Sequence, residues 1–222
     1  MRKQAIVSFL GVLAVSIISG VLLWRLMTTG NSLGHLGLIG VLFASMLSHL
    51  TIVARDMFLP LFLPLASVYN PLIIGAAAGT GGAIGEVTTY VLGWGVAESI
   101  EPMNEAEDRI AKWINKYGLW AVLAVALTPL PDTPVVILAG SRKLPFKKLV
   151  LVEIVGKTAL YTTGAVVGGL IYSGLESSLG TFLTSGLMVV ASIIFCVAVT
   201  WKPTRNIIFG WVEKLVPAHA DK

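Results

Sequence analysis

Residues 5–23 run for nineteen positions without a charged side chain, and residues 182–199 for eighteen more. About twenty consecutive apolar residues is the length a helix needs to cross the hydrocarbon core of a bilayer. A soluble domain of this size must surround its core with polar surface, and about a quarter of its residues are charged. Here the figure is 13%, with a mean hydropathy of +0.84. These values exclude a soluble globular domain, and with it most cytosolic enzyme classes. The chain is expected to be an all-α polytopic membrane protein.

Four segments have the length and apolarity of spans: 5–27, 70–97, 146–173 and 182–200. Arg2 and Lys3 before the first give it the look of a signal peptide. Its apolar run is too long for one, and no small-residue cleavage site follows before Trp24-Arg25, so it is expected to stay as a span. Two further apolar stretches, 35–68 and 116–144, are interrupted near their middles. Ser48-His49, Arg55-Asp56 and Pro60 break the first. Pro129, Pro131 and Pro134 break the second, and three prolines in six residues remove amide donors and turn the chain. Each limb is then too short to span. Non-helical backbone at membrane depth survives only under cover of protein or of a wet cavity, so the expectation is two re-entrant hairpins.

Charge placement orients this arrangement. With both termini cytoplasmic, thirteen of the sixteen Lys and Arg lie on the cytoplasmic side, and the outer loops 28–34 and 174–181 contain none. The basic pI near 9.3 is therefore explained by orientation, with attraction to anionic headgroups second, and nucleic acid is not expected as a partner. The connector 98–116 places Ile110, Trp113 and Ile114 at i, i+3 and i+4, the pattern of a helix lying on the cytoplasmic interface. The tail 201–222 carries Ile207, Ile208, Trp211 and Leu215 at similar spacing. The single cysteine, Cys196, excludes an intrachain disulfide and a CxxC metal site. No metal or other cofactor is expected.

The chain also repeats itself. Gly85-Glu86-Val-Thr-Thr-Tyr90-Val-Leu-Gly93 matches Gly156-Lys157-Thr-Ala-Leu-Tyr161-Thr-Thr-Gly164 as G-[E/K]-x-x-x-Y-x-x-G. Upstream, His35-Leu36-Gly37-Leu38 corresponds loosely to Lys116-Tyr117-Gly118-Leu119. Each half, 35–97 and 116–173, is then one re-entrant hairpin followed by one long span. A single crossing between equivalent points inverts one copy relative to the other. Inverted repeats around broken helices are a transporter architecture, with the site where the repeats meet. The expected fold is this inverted repeat flanked by N- and C-terminal spans, forming a single integral membrane domain over 1–222.

A charge at membrane depth costs at least about 2.5–3.5 kcal/mol, so those retained there are candidate functional groups. They are Arg55, Asp56, Glu86, Asp132, Glu153 and Lys157, both signs are present, and pairing among them is expected. Lys157 has two candidate partners: Glu153 one turn away on the same face, and Glu86 at the equivalent position of the other repeat. Asp132 has two readings, as a cap of the limb that Pro134 opens and as a proton-coupling carboxylate. His49 is a possible proton shuttle, though a lone histidine more often fills a hydrogen-bonded core role. Arg55 is the candidate for an anionic headgroup, because a guanidinium forks onto phosphate; the alternative is snorkelling to the outer interface. Gly75, Gly79, Gly82, Gly85 and Gly93 form small-residue stripes for close helix packing.

These residues resemble the DedA family, whose domain is called the VTT or SNARE-associated domain. The resemblance runs from about 35 to 170. Gly75-Ala-Ala-Ala-Gly79 with Gly85-Glu86 through Tyr90 and Gly93 resembles its G-x-x-x-G…G-[D/E]-x-x-x-Y-x-x-G segment. Ala126-Leu-Thr-Pro129-Leu-Pro131-Asp132 through Ala139-Gly140, followed by Lys143 and Phe146, resembles its proline-containing re-entrant motif. Bacterial members carry two arginines where this chain has Ala126 and Asp132, and the P-G-E of the first hairpin is absent, as in a divergent, archaeal-type member. The resemblance implies a lipid flippase or scramblase for polyprenyl-phosphate or phospholipid, with dependence on the proton-motive force. It marks Glu86, Pro129, Asp132 and Gly140 as site residues; Gly85, Tyr90, Gly93, Pro131 and Pro134, with Gly156 and Tyr161 of the second repeat copy, are the structural positions of these motifs.

The leading expectation is passive or proton-coupled lipid translocation in the cell membrane, with membrane lipids as partners and oligomers allowed. A proton-coupled carrier for small solutes requires a closed central cavity instead. A structural module requires a sealed interior in which Glu86 and Asp132 are each fully paired. No HExxH, G-x-S-x-G or His/Cys cluster is present, and adjacent Ser48 and His49 do not face each other as a triad would, so no enzyme is expected.

Overall fold

The computed structural model describes residues 3–28, 36–51, 55–95, 105–129 and 132–200, with Pro203, Ile207 and Gly210 beyond them. Among these residues every regular element is helical. Helix α1 (Lys3–Thr28) is followed by α2 (Gly37–Leu50), a 3₁₀ turn (Arg55–Phe58) and α3 (Leu59–Ala66). Then come α4 (Pro71–Gly85), α5 (Val87–Gly95) and α6 (Glu105–Tyr117). The last three are α7 (Leu119–Ala126), α8 (Thr133–Ser141) and α9 (Phe146–Thr200). Two stretches, Ala5–Arg25 and Phe146–Gly180, are long and apolar enough to cross a membrane. On α1 the side chains of Val7, Phe9, Ile17 and Ile18 are each more than half exposed. Apolar surface on that scale has no place in water and marks contact with lipid.

The two interrupted stretches form two broken helical pairs, α2–α3 and α7–α8, and corresponding elements make corresponding contacts. Helix α2 packs on α4 as α7 packs on α9; α3 packs on α9 as α8 packs on α5; and α4 packs on α9. The first limb of each half thus lies on its own long helix, and the second limb crosses to the long helix of the other half.

Glycines set how closely these helices approach. A Cβ on Gly75 would sit 2.7 Å from the Thr162 amide nitrogen, and one on Gly79 2.5 Å from that of Thr158, both on α9. On the next face, Gly81 lies against the Leu42 carbonyl and Gly85 against that of Met46, both on α2. Gly93 rests on the Ile137 carbonyl of α8, and Gly140 of α8 on the Tyr90 carbonyl of α5. Backbone-to-backbone packing of this kind is what small residues permit in membranes. Of the glycines singled out, Gly82 alone has side chains and no backbone nearest to it, those of His49 and Lys157.

Three expectations need correction. The long span expected over 70–97 is two helices jointed at Glu86. Its amide still reaches the Gly82 carbonyl and its own carbonyl accepts from Tyr90, but its ψ of −7° leaves the helical value. The outer loop expected at 174–181 is helix, broken only at Gly180, where φ is 76° and ψ 162°. Ser173 and Ser177 donate to the carbonyls of Leu170 and Gly174, so their hydroxyls are satisfied on the helix and do not end it. The interfacial connector forms α6 as expected, but its apolar stripe faces protein. Trp113 and Ile114 are buried in a core with Val122, Val125, Leu138 and Leu149, because α6 packs on α7 and α8. Residues 98–104 and nearly all of the tail 201–222 lie outside the described residues.

Candidate functional site

Four separate stretches bring charged side chains to one place. Arg55 comes from the 3₁₀ turn between α2 and α3, and Glu86 from the joint between α4 and α5. Asp132 comes from the start of α8, and Glu153 and Lys157 from α9. Arg55 donates to a Glu86 carboxylate oxygen at 2.8 Å and to Asp132 Oδ1. Lys157 donates to the other Glu86 oxygen at 3.1 Å and to Asp132 Oδ2. Each cation thus bridges the same two carboxylates, and the four residues close a ring of alternating sign. Arg55 Nη2 also donates to the Thr89 hydroxyl at 3.1 Å.

Burial across the ring is uneven. Glu86 and Glu153 have no exposed side-chain surface and Lys157 has 3%. Arg55 and Asp132, at 13% and 14%, form an edge that remains accessible. Pairing is the condition on which such charges survive, since a buried ion without its partner costs several kcal/mol.

The alternatives left open by the sequence resolve as follows. Lys157 meets both candidate partners, but it hydrogen-bonds Glu86 and only lies near Glu153, at 3.6 Å. Arg55 turns inward to Glu86 and Asp132, so snorkelling is not its conformation. Asp132 occupies the N-cap position of α8, yet its side chain makes no cap hydrogen bond. Its carboxylate is taken by two cations, a stronger pairing than an amide offers. Pro134 opens α8 as the fixed φ of proline allows.

His49 stands beside the ring without joining it. Its Nδ1 donates to the Ser45 carbonyl at 2.8 Å and its Nε2 meets the Tyr161 hydroxyl at 3.1 Å. It packs with Phe58 and Tyr161, so both nitrogens are used in a hydrogen-bonded core. Tyr90, at the position equivalent to Tyr161, donates to the Leu144 carbonyl at 2.7 Å. Gly156 lies against Ala126 of α7 as Gly85 lies against α2, and Pro129 sits in the exposed turn after α7. The Asp56 side chain and Pro131 lie outside the described residues.

Sequence reasoning missed Thr89. Its spacing from Glu86, i+3 on a helix, was the available signal. Outside the ring, Phe9, Val12, Leu13, Ser16, Ile17, Thr51 and Leu92 line an apolar cleft of about 340 Å³ between α1, the end of α2 and α5. Among the described residues no cluster of His, Cys, Asp and Glu has the makings of a metal site.

The VTT domain model matches residues 58–169. The matched stretch holds Glu86, Tyr90, Asp132, Glu153, Lys157 and Tyr161, while His49 and Arg55 precede it. No curated protein and no solved structure matches the chain. With half of its length matched, and with its ring of buried charge and its apolar helices, this chain belongs to the VTT-domain, or DedA, family of membrane proteins.

Proposed function

We propose that this protein moves lipids between the leaflets of the cell membrane and catalyses no covalent chemistry. The observation that carries this reading is the uneven ring: charges buried at the meeting point of four chain segments, with one edge, Arg55 and Asp132, still accessible. A phosphate competes for Arg55 because a guanidinium matches it in two parallel hydrogen bonds, and an amine-bearing headgroup competes for Asp132. The cleft along α1 and α5 is apolar, and Leu92 on its wall is three residues from Thr89. A headgroup at the ring with its acyl chain in the cleft is the arrangement we envisage. Phospholipid and polyprenyl-phosphate share the required headgroup chemistry.

In this reading the broken pairs are re-entrant hairpins of two inverted repeats, and the ring lies near the midplane where they meet. Both termini are cytoplasmic, as the distribution of Lys and Arg favours. Protons are the coupled ion, and neither nucleic acid nor a cofactor takes part.

The test is purified protein in liposomes, scored for movement of fluorescent phospholipid and polyprenyl-phosphate with and without a pH gradient. Movement that depends on the protein and falls in Arg55→Ala is expected. Folded protein that moves neither lipid under either condition overturns the reading.

One observation favours a second reading. Glu86 and Asp132 each have both oxygens paired, as a purely structural module requires. Such a module would fold and function normally with Glu86→Gln and Lys157→Met combined, whereas a translocase would fold and lose lipid movement.

A further inference from the structure

The charges around the ring do not balance. Among the described residues it gathers two cations, Arg55 and Lys157, and three carboxylates, Glu86, Asp132 and Glu153. Glu86 and Asp132 each receive hydrogen bonds from both cations. Glu153 receives none: both of its oxygens are buried and without a hydrogen-bond partner, and the residue is fully enclosed. A bare carboxylate there forfeits its hydration and gains no donor in return, the costliest state a buried acid can occupy. A protonated carboxyl removes the excess negative charge and most of that cost.

Its neighbours define what happens when the proton leaves. The charged groups facing Glu153 are Lys157 on its own helix, Glu86 at the α4–α5 joint and Arg55 on the 3₁₀ turn, with Asp132 reached through Lys157. Tyr161 lies one turn beyond Lys157, and His49 beyond the ring. Helices α3, α4, α7 and α8 contribute no ionisable side chain of their own. Lys157 is 3.6 Å from Glu153, and an ammonium has three donors, of which the ring uses two. A shift of less than 1 Å closes that gap to hydrogen-bond length.

We propose that Glu153 is the proton-carrying latch of the ring: protonated, it leaves Lys157 bridging Glu86 and Asp132; ionised, it takes the third donor of Lys157 and pulls the ammonium toward itself, which stretches that bridge and loosens the ring. The proton leaves from the Glu153 carboxyl to water, and the ammonium keeps all three of its own. Glu153 lies five to six residues along α9, about 7.5–9 Å, from the exposed Lys148 and Lys147 that open the helix. Arg55 stays on Glu86 and Asp132, so loosening leaves one cation and one exposed edge to receive a headgroup. Glu153 is here a positioning residue, acting through Lys157. The latch rests on the lipid-translocation reading only for its consequence, not for its chemistry.

Infrared difference spectroscopy on the full chain in lipid nanodiscs, stepped from neutral to alkaline pH, reads the proton directly. Wild type is expected to show a protonated-carboxyl carbonyl band that disappears with rising pH and is absent in Glu153→Gln. Glutamine resembles the protonated acid in shape and charge, so the variant should unfold thermally with wild type at neutral pH. In liposomes, lipid movement by wild type should rise with pH, and Glu153→Gln should lose that response and stay at the slow, neutral-pH rate. A wild type without the band, a band that survives in Glu153→Gln, or a variant that fails to fold overturns the latch. A band that behaves as expected while no lipid moves leaves the latch standing and overturns the lipid reading.

Discussion

Glu86 and Lys157, 71 residues apart and at the same position of two matching sequence motifs, meet at 3.1 Å in the middle of the protein. The second residue of each motif is thereby the other's counter-ion. Each also has an opposite charge within its own half, Arg55 for Glu86 and Asp132 for Lys157, and the Glu86–Lys157 pair joins the two halves across the ring.

Removing both members should therefore cost less than the two single losses added together. Glu86→Gln and Lys157→Met should each destabilise by about 3–5 kcal/mol, since each takes one partner out of a buried ion pair. The double variant should fall short of their sum by about 1–3 kcal/mol of coupling. Thermal or denaturant unfolding in detergent, arranged as a double-mutant cycle, gives the comparison. Additive losses would mean that the two side chains do not interact.

The motif tyrosines are expected to differ. Tyr90→Phe deletes one hydrogen bond to the Leu144 carbonyl, at a cost of about 0.5–1.5 kcal/mol. Tyr161→Phe takes the hydroxyl from Nε2 of the buried His49 and should cost about 1–3 kcal/mol, because a buried polar atom loses its partner. The order of unfolding temperatures, Tyr90→Phe above Tyr161→Phe, is the check.

Glycines divide by what surrounds them. A Cβ on Gly93 meets the Ile137 carbonyl, and one on Gly140 the Tyr90 carbonyl, whereas Gly164 and Gly174 have open space. Gly93→Ala and Gly140→Ala should cost about 1–3 kcal/mol through displaced backbone. Gly164→Ala and Gly174→Ala should gain up to about 1 kcal/mol from helix propensity. Unfolding temperatures of the four variants test the division.

Orientation is accessible through single cysteines, because Cys196→Ser alone removes every native thiol. Lys112 and Lys148 are exposed, at α6 and at the start of α9, and Gly180 is exposed at the α9 break. Cysteines at 112 and 148 should react with a membrane-impermeant maleimide only after the cytoplasmic face is opened. A cysteine at 180 should react from outside in intact cells. The reverse pattern would place the termini outside.

Much of the fold was legible because it rests on local chemistry. Residues 5–23 are largely apolar and carry no charge, and α1 covers them. Ser48-His49 closes α2, and Pro129 and Pro134 bracket the break between α7 and α8. The sequence expectations that failed are those in which the tertiary surroundings outweigh a local signal. The stretch around 173–178 resembles a loop until the hydroxyls of Ser173 and Ser177 are seen bonding to their own helix. Trp113 and Ile114 make a stripe suited to either lipid or protein, and only the position of α7 and α8 decides between them.

The charged residues show the same division. Their number, signs and repeat positions are readable from the chain, because an apolar segment makes every charge conspicuous and demands a partner for it. Which partner each takes is not, since Glu153 one turn away and Glu86 in the other motif are equally good on paper. That choice depends on the crossing of α4 over α9, which the close approach of Gly75 and Gly79 to Thr162 and Thr158 permits, and on the break that turns Arg55 inward. The sequence alone thus determined that this protein lives in a membrane and keeps charge inside it, because burial energies depend on residue type. The tertiary structure decided how that charge is closed into a ring and which carboxylate is left over, because electrostatic pairing depends on distance.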